Sequence, residues 1–353
     1  MKTLFLALSL AVAAVPGVSA AATAPASVPG VALEPGNGAS WASGLNERGE
    51  VLGAHVVGAD VHGYVWRKGV VTDLGTLPGG DYSLATAINE SGDIAGYSGI
   101  YPLGPLHAVL WHHGTITDLG TLGGNSFAAA INDRGMIVGN SQPELHAPQF
   151  RAVTWYRGVM TVLPALAGAE YDNPGFVNDR GDVAGYSSLG TGVHAVLWTG
   201  GRVVDLGPGR VTALDEQGRV LVDGTDEQGQ VSRFLWDHGR RIALPTGVTG
   251  LGERGEIFGT YQPSGASSEH GFLWYQDRFV DLGNFVPSAA HGFGPVLGSV
   301  PGSGAALWYR GRTTALLPVP DRGDARPMFV NGSGLVVGDT GNDTATAWVV
   351  PLR

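Results

Sequence analysis

Apolar and polar residues alternate along most of this chain in short runs, and those runs are broken by glycine-centred turns. HAVLW at His107–Trp111 sets the pattern. On an extended strand alternate side chains share a face, so His107, Val109 and Trp111 point one way while His112 points the other. Runs of this kind predict β-strands rather than helices. They recur as HGYVW (His62–Trp66), HAVLW, RAVTW (Arg151–Trp155), HAVLW (His194–Trp198), SRFLW (Ser232–Trp236), HGFLW (His270–Trp274), GAALW (Gly304–Trp308) and TATAW (Thr344–Trp348). The average step between these tryptophans is about 40 residues, the period of a repeat architecture.

Ahead of each Trp stands a polar turn followed by a second apolar strand. The copies begin at Asn46 (NERGEVLG), Asn89 (NESGDIAG), Asn132 (NDRGMIVG), Asn178 (NDRGDVAG), Asp215 (DEQGRVLVDG), Gly252 (GERGEIFG), His291 (HGFGPVLG) and Asn331 (NGSGLVVG). Asn or Asp at the first position and Gly at the fourth suit a tight turn, because the short side chain bonds local backbone and Gly takes positive φ. After Trp comes a third strand, as in VVTDLG ending at Gly75 and TITDLG ending at Gly120, and SLATAIN or SFAAAIN supplies a fourth. Four short strands per repeat predict an all-β fold, a β-propeller of about eight four-stranded blades with seven as the alternative count. The last repeat lacks its DLG strand, while Val31–Glu34 near the N-terminus stand where that strand belongs. A closed ring completed by this N-terminal strand is the expectation, because closure removes exposed sheet edges.

The first residues, MKTLFLALSLAVAAVPGVSA, read as a secretory leader cleaved after Ala20. The apolar run Leu4–Val15 is too short to span a bilayer, and no later segment approaches that length. The expected organisation is a leader at 1–20, a flexible linker at 21–30 and a repeat domain at 31–353. Without the leader the chain has 333 residues, 353 less 20, which is long for one compact core but not for repeats. There is no cysteine, so disulfides, Cys-ligated metals and a lipid anchor through Cys are excluded. Removing Lys2 leaves 20 basic against 31 acidic residues, a formal charge of −11, and an acidic exterior repels nucleic acid and anionic lipid. The 57 glycines and 21 prolines, set beside 43% hydrophobic residues, indicate many turns rather than disorder.

The combination AxAIN-x-x-G-x-I-x-G followed by HA-x-LW-x-x-G-x-x-x-DLGTLGG resembles the bacterial extracellular HAF-repeat family, over most of the chain beyond the leader. Units two to four are nearest the pattern. It departs at the eponymous Phe, which is Val109 and Val196 here and appears only as Phe272 in HGF, and units five, seven and eight lack the His. The resemblance implies secretion and a repeat scaffold, carries no shared catalytic activity, and assigns no residue a role.

Three histidines crowd His107–His113, but a metal site is not expected. His62, His107, His194 and His270 each stand four residues before Trp, and a position filled once per blade cannot converge with its equivalents on one ion. They read as polar partners within each blade, and His112 and His113 as solvent-exposed turn residues. The tryptophans read as core. NDRG lacks the alternating oxygen ligands and distant Glu of a calcium loop, GYSSLG at Gly185–Gly190 lacks the spacing of a nucleophile elbow, and the TLPGG and TLGG glycines precede no helix that could bind phosphate. No cofactor is expected. Catalytic carboxylates assembled from separate blades would leave no spacing signal.

Both tight turns of each repeat fall at one end of the blades, so the variable loops share the other end, where a rigid scaffold concentrates binding residues. Units two to four carry the longest loops. The candidate binding residues are Tyr82, Tyr97, Tyr101, Glu144, His146, Tyr171, Asp172 and Tyr186. Tyrosines amid amides and carboxylates suit sugar rings or a protein partner. The expected function is a secreted, monomeric, non-enzymatic protein that binds an extracellular glycan or protein, with no nucleic-acid partner and no membrane insertion; periplasm and cell surface are the alternative locations. The alternative functions are a secreted polysaccharide hydrolase or lyase using loop carboxylates, or a structural surface protein.

Overall fold

The computed structural model describes residues 26–33, 39–102, 104–225, 231–321, 323–341 and 344–352, and these form strands and links with no helix among them. The leader at 1–20, the first half of the linker and Glu34 lie outside the described residues. The fold is all-β. Antiparallel pairing arranges the strands as eight four-stranded meanders, which fall into two compact units, Leu33–Ala243 with the first five and Leu244–Arg353 with the last three and the N-terminal residues to Ala32.

In the larger unit the first sheet runs Ser40–Leu45, Val51–Val57, Asp60–Arg67 and Val70–Asp73, and the second Tyr82–Ile88, Ile94–Gly99, Leu106–His112 and Thr115–Asp118. The third runs Ser126–Ile131, Ile137–Ser141, Arg151–Tyr156 and Val159–Val162. Ala169–Val177, Val183–Leu189 and Gly192–Thr199 begin the fourth, which is completed by the first half of Arg202–Leu214. The second half of that strand opens the fifth, with Val220–Thr225, Val231–Asp237 and Arg240–Ala243.

In the smaller unit the sixth sheet spans Val248–Leu251 to Arg278–Gly283, and the seventh Val286–Ala290 to Arg312–Leu317. The eighth holds Ala325–Val330, Leu335–Thr340 and Ala345–Val349, and its fourth strand is Val31–Ala32, antiparallel to Thr346 and Ala347. The strand missing after Trp348 is thus supplied from the other end of the chain. Ala26–Pro29, which the sequence places in a linker, forms a further strand parallel to Thr314–Leu317. Its short apolar run finds an open sheet edge there, and Val28 packs on the core between the seventh and eighth sheets.

The Asn of each turn explains why the repeat keeps it. Asn89 Oδ1 accepts the backbone N–H groups of Ser91 (3.0 Å) and Asp93 (2.9 Å), which closes its own turn. Its Nδ2 donates to the carbonyl of Asn132, one sheet further on, at 3.1 Å. The same bond links Asn46 to Asn89 O (3.1 Å), Asn132 to Asn178 O (2.8 Å) and Asn178 to Asp215 O (3.0 Å). All four amides are buried. A second row lies beside it, in which Glu90, Asp133, Asp179 and Glu216 accept the backbone N–H of Glu47, Glu90, Asp133 and Asp179 from the sheet before. Three repeats depart from Asn, at Asp215, Gly252 and His291, and at the first two another side chain compensates. Asp215 keeps the turn bonds while its second oxygen takes Arg219 Nε at 2.6 Å. At Gly252 a Cβ would stand 2.3 Å from Glu256 Oε2. The buried Glu256 carboxylate therefore occupies the space of the missing side chain, accepts Arg254 N (3.0 Å) and reaches Gly292 N of the seventh sheet.

The apolar cores lie between consecutive sheets. Leu52 and Val65 of the first sheet pack with Ala85, Ile94, Val109 and Trp111 of the second, and Ala95 and Ala108 pack with Ala128, Ile137, Val153 and Trp155. Each large apolar side chain buried this way contributes roughly 1.5–3 kcal/mol. The indoles are also anchored backward, with Trp111 Nε1 donating to Leu74 O (2.8 Å), Trp198 to Pro164 O (2.8 Å) and Trp348 to Leu317 O (2.6 Å). The last Gly of each turn-and-strand motif is set by crowding: a Cβ at Gly96, Gly139 or Gly185 would lie 2.0, 1.9 or 2.2 Å from the carbonyl oxygen of Leu84, Phe127 or Asn173.

Asn89→Ala leaves two turn N–H groups unpaired and removes the bond from the neighbouring sheet to the Asn132 carbonyl, which keeps only its own turn bond from Gly135 N, and is expected to cost about 1–3 kcal/mol in urea unfolding. Asn89→Asp should cost at least as much at pH 7, because it places a carboxylate against Asp93 with no counterpart of Arg219. An unchanged unfolding midpoint in both variants would remove the role given to this amide. In thermal melts of N-terminal truncations, deletion through Pro29 removes only the parallel strand, whereas deletion through Leu33 also removes the fourth strand of the eighth sheet and a buried leucine worth roughly 2 kcal/mol. The longer truncation should melt several degrees lower than the shorter, and coincident melts would contradict this.

Candidate functional site

At the end of the larger unit opposite the Asn turns, the first strands begin and the second strands run into the variable loops. Tyr82 opens the second sheet, and Tyr97 stands on the neighbouring strand directly across from Leu84. Tyr101 follows in the loop, where its backbone N–H is held by Asp81 Oδ1 at 2.8 Å. The three rings stack, with centroids 4.9 Å apart for Tyr82 and Tyr101 and 6.2 Å for Tyr82 and Tyr97. Tyr97 then meets Phe127 of the third sheet edge-on at 5.0 Å, Phe127 meets Phe150 at 5.9 Å, and Phe150 meets Tyr171 of the fourth at 5.1 Å. Tyr171 stacks on Tyr186 at 6.3 Å, and the guanidinium of Arg210, from the fifth sheet, lies 4.2 Å above the Tyr186 ring. The result is an unbroken file of seven rings across three sheets. Tyr101 is exposed and the other six rings are half-buried. Burial holds the phenols of Tyr82, Tyr97 and Tyr171 above the ordinary tyrosine range, and neighbouring phenols add to it, so these hydroxyls stay protonated donors.

Amides lie among the rings. Asn140 stands across from Phe127 in register and donates to Asn173 Oδ1 (3.0 Å) and the Tyr171 hydroxyl (3.4 Å). Its own Oδ1 is buried with no hydrogen-bond partner among the described residues. An unpaired buried acceptor costs about 1–3 kcal/mol, so the file sits over a group in want of a donor.

Five of the eight residues singled out from sequence, Tyr82, Tyr97, Tyr101, Tyr171 and Tyr186, therefore meet in one surface. Glu144 and His146 are exposed on the adjoining loop, which folds over Gly124, but join none of the ring contacts among the described residues. Asp172 is fully buried beneath the file. It occupies the place held by Ser83 and Ser126 in the preceding sheets, accepts Ser187 Oγ at 2.6 Å and lies 3.8 Å from Arg151. It supports the surface from below instead of facing a ligand. Phe127 and Phe150, which sequence reasoning missed, are the links that make the file continuous. Phe127 shares its repeat position with Trp41, Leu84, Asn173 and Arg210, each directly ahead of the bulge in a first strand. Wide variation at one place in an otherwise uniform strand was the available signal.

The histidines of the repeat pair locally. His62, His107, His194 and His270 place Nδ1 at 2.9, 2.7, 3.0 and 3.0 Å from Asp73, Asp118, Asp205 and Asp281, and one oxygen of each Asp accepts the N–H of the Gly two residues later. This accounts for the His, Asp and Gly of the motif. No three His, Asp or Glu side chains among the described residues are grouped to hold a metal ion. Two clefts open between sheets at the turn end, one of about 420 Å³ beside Glu50, Arg67, Asp93 and Trp111, the other of about 320 Å³ beside Asp182, Thr199 and Trp236. Charged groups in both are engaged, Arg67 with Glu50 at 2.7 Å and Asp182 with the Thr199 hydroxyl at 2.5 Å. The aromatic file is the better candidate.

Burial raises the Asp172 carboxyl above its ordinary value of 3.8, against the lowering effects of Ser187 and Arg151. The folded state then holds this proton more tightly than the unfolded chain, so the contribution is complete below about 3.8 and is lost as pH rises through the raised native value. Asp172→Asn, which retains an acceptor for Ser187, should be more stable than the parent at pH 7 and lose that advantage by pH 4. A parent-minus-variant difference that does not change with pH would contradict the assignment.

No protein-family model matches the chain, and no curated protein matches it. Among solved structures it is similar to the β-propeller domain of the Trilobed protease from Pyrococcus furiosus, with 10% identity, 78% of this chain and 91% of that chain covered, and a TM-score of 0.46. A puromycin-hydrolyzing peptidase from Mycobacterium tuberculosis matches at 14% identity and TM-score 0.46, over 89% of this chain and 60% of that one. A gluconolactonase from Xanthomonas campestris matches at 12% identity and TM-score 0.35, over 94% and 99%. Likenesses this distant carry no activity over to the chain.

Proposed function

We propose that the protein binds a carbohydrate chain outside the cell, along the aromatic file of the larger unit. The observation that carries this reading is the continuity of the seven rings from Tyr101 to Tyr186, partly open to solvent and interleaved with the Asn140 and Asn173 amides. A pyranose offers an apolar C–H face to an aromatic ring and hydroxyls at its rim, so a row of rings beside phenols and amides matches it on both counts. A protein partner engages fewer such alternations and is the competing outcome of the test. The apolar leader-like segment and the HAF-like repeat support an extracellular setting. Within this proposal the eight sheets are blades of one propeller, completed by the Val31–Ala32 strand, and the protein acts as a monomer.

The second reading is a polymer-cutting enzyme at the same surface. It draws on the carboxylates in the flanking loops, Asp81 and the exposed Glu144. No helix among the described residues is long and apolar enough to cross a membrane.

A glycan array followed by titration calorimetry on the full mature chain tests binding, and assays for new reducing ends or unsaturated sugars on the same glycans test cleavage. Tyr97→Ala, Tyr101→Ala and Tyr186→Ala should each weaken binding by about 1–3 kcal/mol, as loss of an aromatic contact commonly does. Arg134→Ala, in a turn at the opposite end, should leave it unchanged. Binding that survives all three tyrosine changes, or no glycan binding by the parent, would overturn the proposal. Product release would replace it with the second reading.

A further inference from the structure

We propose that the carbohydrate bound by the file carries an isolated carboxylate, a uronic acid or its equivalent, and that Arg210 receives it. The inference rests on the glycan reading and concerns the chemistry at one end of the same surface. At the repeat position directly ahead of the first-strand bulge, four sheets of the larger unit place Trp41, Leu84, Phe127 and Asn173, all uncharged, and the fifth places Arg210. The Arg210 side chain is exposed, and its guanidinium stacks on the last ring of the file, Tyr186. Stacking uses the flat face and leaves the N–H edge open.

The carboxylate directly across the strand from it is already taken. Asp223 is the cross-strand partner of Arg210, but both of its oxygens bind Arg233, through Nε and through Nη2 at 2.6 Å. Arg210 itself makes no hydrogen bond or ion pair with any described residue. The other cation beneath the file, Arg151, is bound to Ala169 O at 3.0 Å and lies beside Asp172. Arg210 is thus a guanidinium fork fixed at the end of an aromatic platform and not neutralised, in a chain of formal charge −10. A fork of this kind fits a carboxylate through two parallel N–H···O bonds. The acidic surroundings set the limit on the ligand: a polyanion would be repelled along its length, whereas a mostly neutral chain with one carboxylate would not.

The test is an array of oligosaccharides bearing glucuronic, galacturonic or mannuronic acid, each printed beside its carboxyl-reduced counterpart, probed with the mature chain. The parent should bind at least one acid form more tightly than its reduced twin by about tenfold or more. Arg210→Gln should abolish that preference, and Arg210→Lys, which keeps the charge but not the fork, should retain only part of it. Thermal melts establish that the variants fold. Equal binding of acid and reduced forms by the parent, or an undiminished preference in Arg210→Gln, overturns the carboxylate proposal and leaves the glycan reading intact if Tyr97→Ala still weakens binding. A parent that binds neither form, nor any neutral glycan, overturns both.

Discussion

The larger unit depends on a buried turn amide in four of its five repeats. The turn Asn satisfies two N–H groups of its own turn with its oxygen and one carbonyl of the next sheet with its nitrogen, so the same side chain shapes a hairpin and sets the spacing to its neighbour. A buried amide half satisfied would cost more than it contributes, so neither bond can be given up alone. Two of the three departures, Asp215 and Gly252, fill the same space by other means. Asp215 offers no N–H and brings Arg219 instead, while Gly252 offers nothing and is filled by Glu256 from the following strand, whose carboxylate still spans to the next sheet. What both keep is a filled turn that accepts its own backbone N–H groups, while the link to the next sheet changes or is given up.

Because that amide and the acidic residue after it tie the sheets together at one end, the other end is free to vary. The first-strand position ahead of the bulge shows the consequence most plainly: its backbone is the same in five sheets, yet it holds Trp41, Leu84, Phe127, Asn173 or Arg210. A side chain there owes nothing to the Asn row or to the cores between sheets. Rings from successive repeats can therefore meet, and a surface is assembled from strand residues some 40 positions apart in sequence together with Tyr101 and Phe150 from the adjoining loops.

What the sequence disclosed follows from this division. The repeat, the strands, the N-terminal strand paired beside Trp348 and the local partnership of the repeated histidines were legible, because each depends on contacts within one repeat or on a pattern copied many times. The five tyrosines were legible as aromatic residues in or beside the longest variable loops. Phe127 and Phe150 were not, because their importance lies in contacts between neighbouring sheets, and an alternating strand such as SFAAAIN gives the same reading whichever way its Phe is used. Asp172 was misplaced for the converse reason: a carboxylate in a variable loop reads as exposed, and only register reveals that it stands where Ser83 and Ser126 are buried. The strand at Ala26–Pro29 was hidden because four residues just ahead of Gly30 are too few to carry a period.

The file of rings is a seam between sheets, and the same contacts would serve the platform proposed for a carbohydrate. Each ring is held by the next at 4.9–6.3 Å, within the range of favourable aromatic contact, so the side chains are ordered before any ligand arrives. Ordering a free side chain at an interface costs about 0.5–1.5 kcal/mol, and here folding has already met that cost. Seven isolated surface rings would collapse onto nearby apolar groups or lose much of their contact energy to ordering. Joined by stacked, tilted and edge contacts across three sheets, with Arg210 stacked at one end, they keep their outer surfaces open and their positions fixed by the same sheet spacing that the buried amides set at the opposite end.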